Sequence, residues 1–476
     1  MRADGPRDAD GGGVSAALAA ARELLGDARA WVVGGAVRDR LMQRPVDDVD
    51  LVLDGDVRAA ARHLAVGVGG PAFPLSDAFG GWRVLAPGRD WHVDLMPLRG
   101  GSIEADVGLR DFTVNAIAEP LAGGPLIDPH DGAGDLARRR LRMVAAHAFA
   151  DDPVRVLRLA RFGCELGLEP DAETIAAARA SAMGAASVAQ ERVFAELKRI
   201  VAAPAVLDGF GLMDRLGLYE AILPELAACR GMAQNRFHHL DVHDHTLAAL
   251  QVAVDLEEHP ERLAGDEHAA GIAALLAEPL ADGVTRGLAL RLGALLHDIA
   301  KPPTRDVLKD GRVTFIGHDR LGAELARDIL ARWKASERLR FHVAALTRHH
   351  LRLGFLVHEQ PLGRRAVHRY LSACDPVAAD VTLLTICDRV ATRGDNARPA
   401  IAKHLALARE VLGDALVWHA AEPAPPLVRG DDLARALGVD PGPRLGTLLA
   451  AIEEARWAGE ITKAEEAVAL ARSLGV

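Results

Sequence analysis

A pair of glycines followed by a pair of aspartates constrains this chain more than any other feature. The apolar run Trp31-Val32-Val33 reads as a buried strand and leads straight into Gly34-Gly35-Ala36-Val37-Arg38-Asp39. Glycines at such a junction let backbone N–H groups approach an anion closely. Val46 to Val52 reads as a second strand carrying Asp48 and Asp50. Alternate strand residues share a face, so these two carboxylates point the same way. Two carboxylates on one face suit two Mg²⁺ ions roughly 3.5–4 Å apart, the arrangement used for in-line phosphoryl transfer. Either half alone also fits a plain glycine turn or solvated acids on an edge strand. In this order the two halves point to nucleotide chemistry.

The chain around them changes character near residue 150. Val14 to Leu25 is alanine-rich and helical, and from Trp31 to Ala118 short Val/Leu runs alternate with Gly and Pro turns, as in a small mixed sheet. Phe79 to Val84 and Trp91 to Leu95 read as neighbouring strands. Asp94 is then either a third carboxylate near the metals or a surface acid. From Ala150 onward strand signals almost vanish and the pattern is all-helical, with breaks at Pro224 and at the Pro-rich stretch Glu422 to Pro426. The expected fold class is therefore α+β, with domains at 1–27 (tail and first helix), 28–145 (sheet-based head), 146–225 (helical neck), 226–421 (second helical domain) and 422–476 (helical tail).

Bulk properties limit the partners. The 476 residues are 50% hydrophobic and 26% charged, a composition for globular domains with ample core. With a net charge of −10, RNA binding would need local basic surface such as Arg138-Arg139-Arg140 with Arg142. Aromatic residues are only 4%, which argues against base-stacking as the main nucleic-acid device. The four cysteines are scattered, so neither a zinc site nor a disulfide framework is expected, as befits a reducing cytoplasm. Met1 to Gly13 is Gly/Asp-rich without the apolar centre of a signal peptide, and no apolar run is long enough for a membrane span. Oligomeric state is not legible.

Two further constellations carry chemistry. Asp151-Asp152-Pro153 has the form of a helix start, with Asp152 at the N-cap and Pro153 at N1. Arg155, Arg158 and Arg161 follow on one face, which is either a solvated basic surface or a nucleotide contact. Cytosine and adenine both present an amine donor beside a ring-nitrogen acceptor. A carboxylate and a guanidinium, Asp152 and Arg155, would match that edge and reject guanine and uracil. Downstream, the apolar helical run Leu288 to Leu296 leads into His297-Asp298, with His245 before it and Asp388 after it. Imidazole and carboxylate ligands suit Mn²⁺, Ni²⁺, Mg²⁺ or Fe, and leave the divalent metal's identity open. His318 and His349-His350 would enlarge the site to two metals, although each alone also fits a surface or helix-end histidine.

The glycine and aspartate segments, Leu109-Arg110-Asp111-Phe112-Thr113-Val114-Asn115-Ala116, Asp151 to Arg155 and Glu191-Arg192, in this order, resemble the bacterial and eukaryotic CCA-adding enzymes and their poly(A) polymerase relatives. The resemblance runs from about Trp31 to the C-terminus. It implies a nucleotidyltransferase head, with Asp48 and Asp50 holding Mg²⁺ and Gly34, Gly35 and Arg38 holding a triphosphate. Asp111 would contact ribose with Asn115 in support, Arg110, Arg158 and Arg161 would bind the nucleotide, Asp152 and Arg155 would select the base, and Glu191, Arg192 and Glu196 would brace that helix or touch substrate. The partners implied are a tRNA 3′ end, CTP and ATP. His245, His297, Asp298 and Asp388 resemble the HD-type phosphohydrolases, implying action on RNA ends such as 2′,3′-cyclic phosphates. Gly430-Asp431-Asp432-Leu433 and Pro441-Gly442-Pro443 look like the family's tail, where Gly442 and Gly446 fit either a phosphate seat or a turn between helices. Two departures stand out. Leu109 replaces the first of two arginines, and the stretch from Leu95 to Leu109, which in the family carries a flexible loop for the change from CTP to ATP, is short. Addition of C residues only, a poly(A) polymerase on the same scaffold, and a phosphohydrolase with an RNA-binding head are the alternatives.

Overall fold

The computed structural model describes residues 12–46, 48–76, 80–395, 397–422 and 424–475; the side chains of 12–15, 48 and 76 lie outside this set. The Met1 to Gly13 segment, apart from the backbone of 12 and 13, and Phe79 at the head of its expected strand therefore fall outside the description. The chain divides into two compact units, residues 1–222 and 223–476.

The first unit is built on strands β1 (Ala30–Val33), β2 (Asp48–Leu53), β3 (Ala72–Ser76), β4 (Gly81–Leu85), β5 (His92–Pro97) and β6 (Ala118–Pro120), ordered β3-β4-β5-β2-β1-β6. Only β2 and β5 run parallel; the other neighbours are antiparallel. Alternation sorts the two faces. Val49, Leu51 and Leu53 of β2, with Val93 and Leu95 of β5, enter a core with Ala17 and Ala21 of α1 (Gly12–Leu25). Ala61 and Leu64 of α3 (Val57–Val68) close that core, α2 being Gly35–Leu41. Val52 faces the other way, against Ile103 and Val107 of α4 (Ile103–Gly108). Asp50 shares the Val52 face.

Beyond the sheet, α5 (Val154–Leu166) packs against α6 (Gln190–Ala202) and α7 (Val206–Leu216). Phe162 of α5 meets Phe112 edge-on with ring centroids 5.7 Å apart, and Phe112 meets Phe149 at 6.0 Å. These buried rings fix α5 to the segment that follows Asp111.

The second unit is helical. Its site-bearing elements are α8 (Val242–Glu258), α9 (Arg286–Leu296), α10 (His318–Arg332), α11 (Glu337–His349), α12 (Ala378–Ala391) and α13 (Ala397–Ala420). α9 is buried along nearly its whole length, which explains its apolar run without a polar face. A tail of α14 (Gly430–Leu437), α15 (Pro443–Trp457) and α16 (Ala464–Ser473) has its own small core, including Leu433, Leu448, Ile452 and Ala467. No single described helix is long and apolar enough to cross a membrane.

The α+β class stands, with one correction. Short strand pairs do occur after residue 150, at Pro279–Ala281 with Val284–Thr285 and at Asp306–Val307 with Val313–Thr314. The first closes over Asp282 and Gly283, both at positive φ (57° and 68°), the geometry of a tight hairpin. Two or three residues are too few for alternation to register in a sequence.

Candidate active sites

Gly34 turns the chain out of β1 with φ 69° and ψ −124°, backbone open essentially to glycine alone. A Cβ there would also lie 2.6 Å from Nη1 of Arg110. Gly34, Gly35, Asp50, Arg110, Asp111 and Asn115 line a cavity of about 440 Å³, with Arg155, Arg158 and Arg161 on the α5 side. Asp48 opens β2, but its side chain is outside the described residues.

Asp111 is held on every side. The backbone N–H of Phe112 (2.8 Å) and Nδ2 of Asn115 (3.0 Å) donate to Oδ1, and Arg158 lies 3.1 Å from Oδ2. Burial opposes its ionisation, yet Arg158 and Asn115 hold its carboxyl below the usual range. Arg110 is affected in the opposite sense: burial pushes its pKa down, against the pull of Asp106, Asp50 and Asp111. Its Nε is buried with no hydrogen-bond partner among the described residues. A buried donor of this kind is completed by an acceptor such as a phosphate oxygen.

Several expected contacts are instead committed internally. Arg38 is 7% exposed. It donates through Nε and Nη2 to both oxygens of Asp39 (2.9 and 2.7 Å) and through Nη1 to Asn115 Oδ1 (2.7 Å), so it ties α2 to the Asn115 segment. Arg161, 3% exposed, is ion-paired with Glu196 and with Glu165 (2.9 Å) and covers the Phe162 ring. A guanidinium removed from water needs such partners, which makes Arg161 a brace rather than a free contact. Asp152 does not cap α5. The N-cap position falls on Pro153 without a side-chain bond, and the Asp152 carboxylate accepts from Arg192 Nη2 at 2.6 Å. Arg155 donates to the carbonyl oxygens of Leu109 (3.0 Å) and Ala148 (3.2 Å). Glu196 braces α5 through Arg161, while Glu191 is exposed.

Asp94 stands opposite Asp50 in the β2–β5 register, but both its oxygens accept from Arg83 at 2.7 Å. Arg138 and Arg142 pair with Asp135 and Arg140 with Asp171, so much of that basic run is neutralised. The short stretch before Leu109 is ordered as α4, whose N-cap Ser102 accepts from Ala105 N–H. Fully buried Asp106 takes hydrogen bonds from Arg99, backbone (3.1 Å) and guanidinium (3.0 Å). Asp106 and Arg99, both lining the cavity, escaped the sequence reading, because nothing in their spacing marks a buried acid–guanidinium anchor.

The second unit brings His245, His297, Asp298 and Asp388 together and adds His318 and His350. Asp298 Oδ2 lies 3.2 Å from His297 Nε2 and 3.5 Å from His245 Nε2; Oδ1 lies 3.4 Å from His318 Nε2 and 3.9 Å from His350 Nε2. Asp388 Oδ1 is 3.1 Å from His245 Nε2. Nδ1 of His297, His318 and His350 bonds the backbone oxygens of Ala294, Phe315 and Thr347 (2.7–2.8 Å), so each Nε2 lone pair turns inward. Potential ligand atoms of His245, His297 and Asp388 lie within 4.8 Å of one another, as do those of Asp298, His318 and His350. Nε2 of His245 and of His297 are buried with no hydrogen-bond partner among the described residues, the condition of a donor set that fits metal. His349 is not part of this cluster: its Nδ1 accepts from Arg352. Burial opposes the charge on Asp298, but His297 and Lys301 (2.6 Å) hold its carboxyl well below the usual range. Burial and His297 push the His350 imidazole down to about 4, leaving it neutral at neutral pH.

Family models match three stretches: the "Poly A polymerase head domain" at residues 30–70, the "Probable RNA and SrmB-binding site of polymerase A" at 167–230, and the "HD domain" at 242–392. The chain is 39% identical over 445 residues to an A-adding tRNA nucleotidyltransferase of Deinococcus radiodurans, covering 92% of this chain and 94% of that protein. It is 33% identical to a CC-adding tRNA nucleotidyltransferase of Thermus thermophilus over 92% of each. Among solved structures, a CCA-adding enzyme with ATP superposes with TM-score 0.64 at 18% identity, covering 97% of this chain and 95% of that one, a likeness of fold. The chain belongs to the tRNA nucleotidyltransferase family, in the form that joins a poly(A) polymerase-type head to an HD domain.

Proposed function

We propose that the head adds nucleotides to the 3′ end of tRNA with CTP and ATP as donors, and that the HD centre is a metal-dependent phosphohydrolase acting on RNA ends. The observation that carries the first part is the cavity in which Gly34, Asp50 and Arg110 stand beside Asp111 and α5. Asp48 and Asp50 would hold Mg²⁺. When bound, that metal activates the attacking 3′-hydroxyl and neutralises the leaving pyrophosphate. Gly34 and Gly35 admit the triphosphate to their backbone N–H groups, and the unpartnered Nε of Arg110 takes a phosphate oxygen. Asp111, fixed by Asn115 and Arg158, accepts from a ribose hydroxyl. Asp152 and Arg155 read the base after exchanging Arg192 and the backbone carbonyls for it. Arg38 and Arg161 keep the two sides of the cavity in register.

A second reading restricts the product to A alone or to CC alone. It is favoured by α4, pinned through Asp106 where the family's flexible loop would move, and by the full-length likeness to an A-adding and a CC-adding enzyme. One experiment tests both readings. Purified protein with Mg²⁺ receives tRNA ending before CCA, in C, or in CC, with CTP and ATP supplied singly and together. Completion of CCA supports the first reading. Extension only of the CC-ending tRNA, or arrest after CC, supports the second. No extension of any of the three rejects the transferase assignment and leaves the HD centre with an RNA-binding head.

A further inference from the structure

The carboxylate that anchors α4 serves two guanidiniums. Asp106 is fully buried, and its Oδ2 accepts from the backbone N–H (3.1 Å) and Nε (3.0 Å) of Arg99. Its Oδ1 accepts from Arg99 Nη2 (3.3 Å) and lies 3.8 Å from Nη2 of Arg110, about one helical turn on. A glycine turn brings Arg99 there. Gly100 and Gly101, at φ 69° and 80°, reverse the chain between β5 and α4, and a Cβ on Gly100 would lie 2.8 Å from that of Ala105. One negative charge between two positive ones leaves a positive excess, in a cavity that both arginines line. Asp50, another acid pulling on Arg110, belongs to the proposed Mg²⁺ seat. Arg110 keeps a buried Nε with no hydrogen-bond partner among the described residues. Arg99 gives Asp106 only two of its three guanidinium nitrogens, and its side chain is 47% exposed. Leu109 lines the same cavity and has no side-chain donor to offer. Two guanidiniums gathered on one acid, with donors left over, match a polyanion whose oxygens sit on neighbouring phosphorus atoms.

We infer that Arg99 is a second contact for the triphosphate of the incoming nucleotide, set beside Arg110 by the carboxylate they share, Asp106. The inference rests on the reading in which Arg110 takes a phosphate oxygen. Asp106 is a positioning residue: its charge draws both guanidiniums together and leaves their remaining N–H groups for the phosphates. An asparagine of the same shape would turn an amide N–H toward one guanidinium and could not hold both.

The test measures incorporation into tRNA 3′ ends by the full chain with Mg²⁺. Inorganic tripolyphosphate serves as a competitor that has phosphates and no base. Arg99→Ala is expected to raise KM for the nucleotide about tenfold, and the inhibition constant of tripolyphosphate by a like factor, with the loss falling on KM rather than on kcat. Preference among nucleotides should not change, because the base is read elsewhere. Asp106→Asn should weaken both ligands in the same way, yet add nothing in a chain that already carries Arg99→Ala and Arg110→Ala. A purely structural role for Asp106 would persist in that chain, so a further loss there overturns the positioning role. If Asp106→Asn fails to fold, Arg99→Ala decides the matter alone. A rise in both constants for Arg110→Ala with neither changed by Arg99→Ala overturns this inference and leaves the reading of Arg110 standing. A rise in KM without one for tripolyphosphate also overturns it, since the lost contact is then not to phosphate. If Arg110→Ala changes neither constant, or wild type incorporates nothing, the reading of Arg110 falls and this inference with it.

Discussion

In the head, the groups around the cavity are guanidiniums and carboxylates that mostly hold one another: Arg38 with Asp39, Arg158 with Asp111, Arg192 with Asp152. In the HD centre, the buried Nε2 atoms of His245 and His297 have no hydrogen-bond partner among the described residues and converge on the carboxylates of Asp298 and Asp388. The first arrangement persists without a ligand because each charge is already compensated, and a substrate must trade places with an internal partner. The second pays the desolvation of its acids and imidazoles up front, and on the proposed reading an ion would complete it. Sites that exchange and sites that fill respond differently to loss of one side chain.

The largest expected effect is on the transferase. Asp50→Ala should lower nucleotide incorporation about a thousandfold, since a metal clamp supplies several kcal/mol in the transition state. Circular dichroism should be unchanged, and so should Co²⁺ uptake by the HD centre; normal incorporation by this variant removes Asp50 from the metal assignment. Next, Asp298→Asn should abolish metal retention by the HD centre, read by elemental analysis after dialysis, while incorporation continues. A variant that keeps its full metal complement removes Asp298 from the metal assignment. The smallest effect concerns a brace. Arg161→Ala should cost about 2 kcal/mol of stability, read from denaturant midpoints, because Glu165 keeps Arg199 while Glu196 keeps only a 3.9 Å contact with Arg158. Preference for CTP over UTP should stay put; a relaxed preference would make Arg161 a nucleotide contact rather than a brace.

What the sequence made legible follows from how local each signal is. Gly34 and the Asp50 face of β2 were readable because a glycine turn and a period of two are properties of adjacent residues. His297-Asp298 was readable because an apolar helix leads into it. The fates of Arg38, Arg155 and Arg161 were not, because spacing places a guanidinium on a face without telling whether its partner is a ligand or an acid dozens of residues away, as Glu196 is. His318 and His350 fitted either a second metal or, each taken alone, a surface or helix-end position. Their inward turn depends on backbone oxygens at Phe315 and Thr347, which the fold alone brings into line.

The pair formed by Asp152 and Arg192, beside Arg155 on its two carbonyls, has a consequence for accuracy. With Asp152 and Arg155 as the proposed base-reading groups, the resting protein would compete with its own substrate. A base that satisfies both groups repays both exchanges, whereas one that matches a single group strands the other, in a site that has a better option in simply closing again. Selectivity of this kind is set by the empty enzyme as much as by the nucleotide. Weakening the internal contacts would then raise affinity for every base and, by the same step, erode the distinction between them.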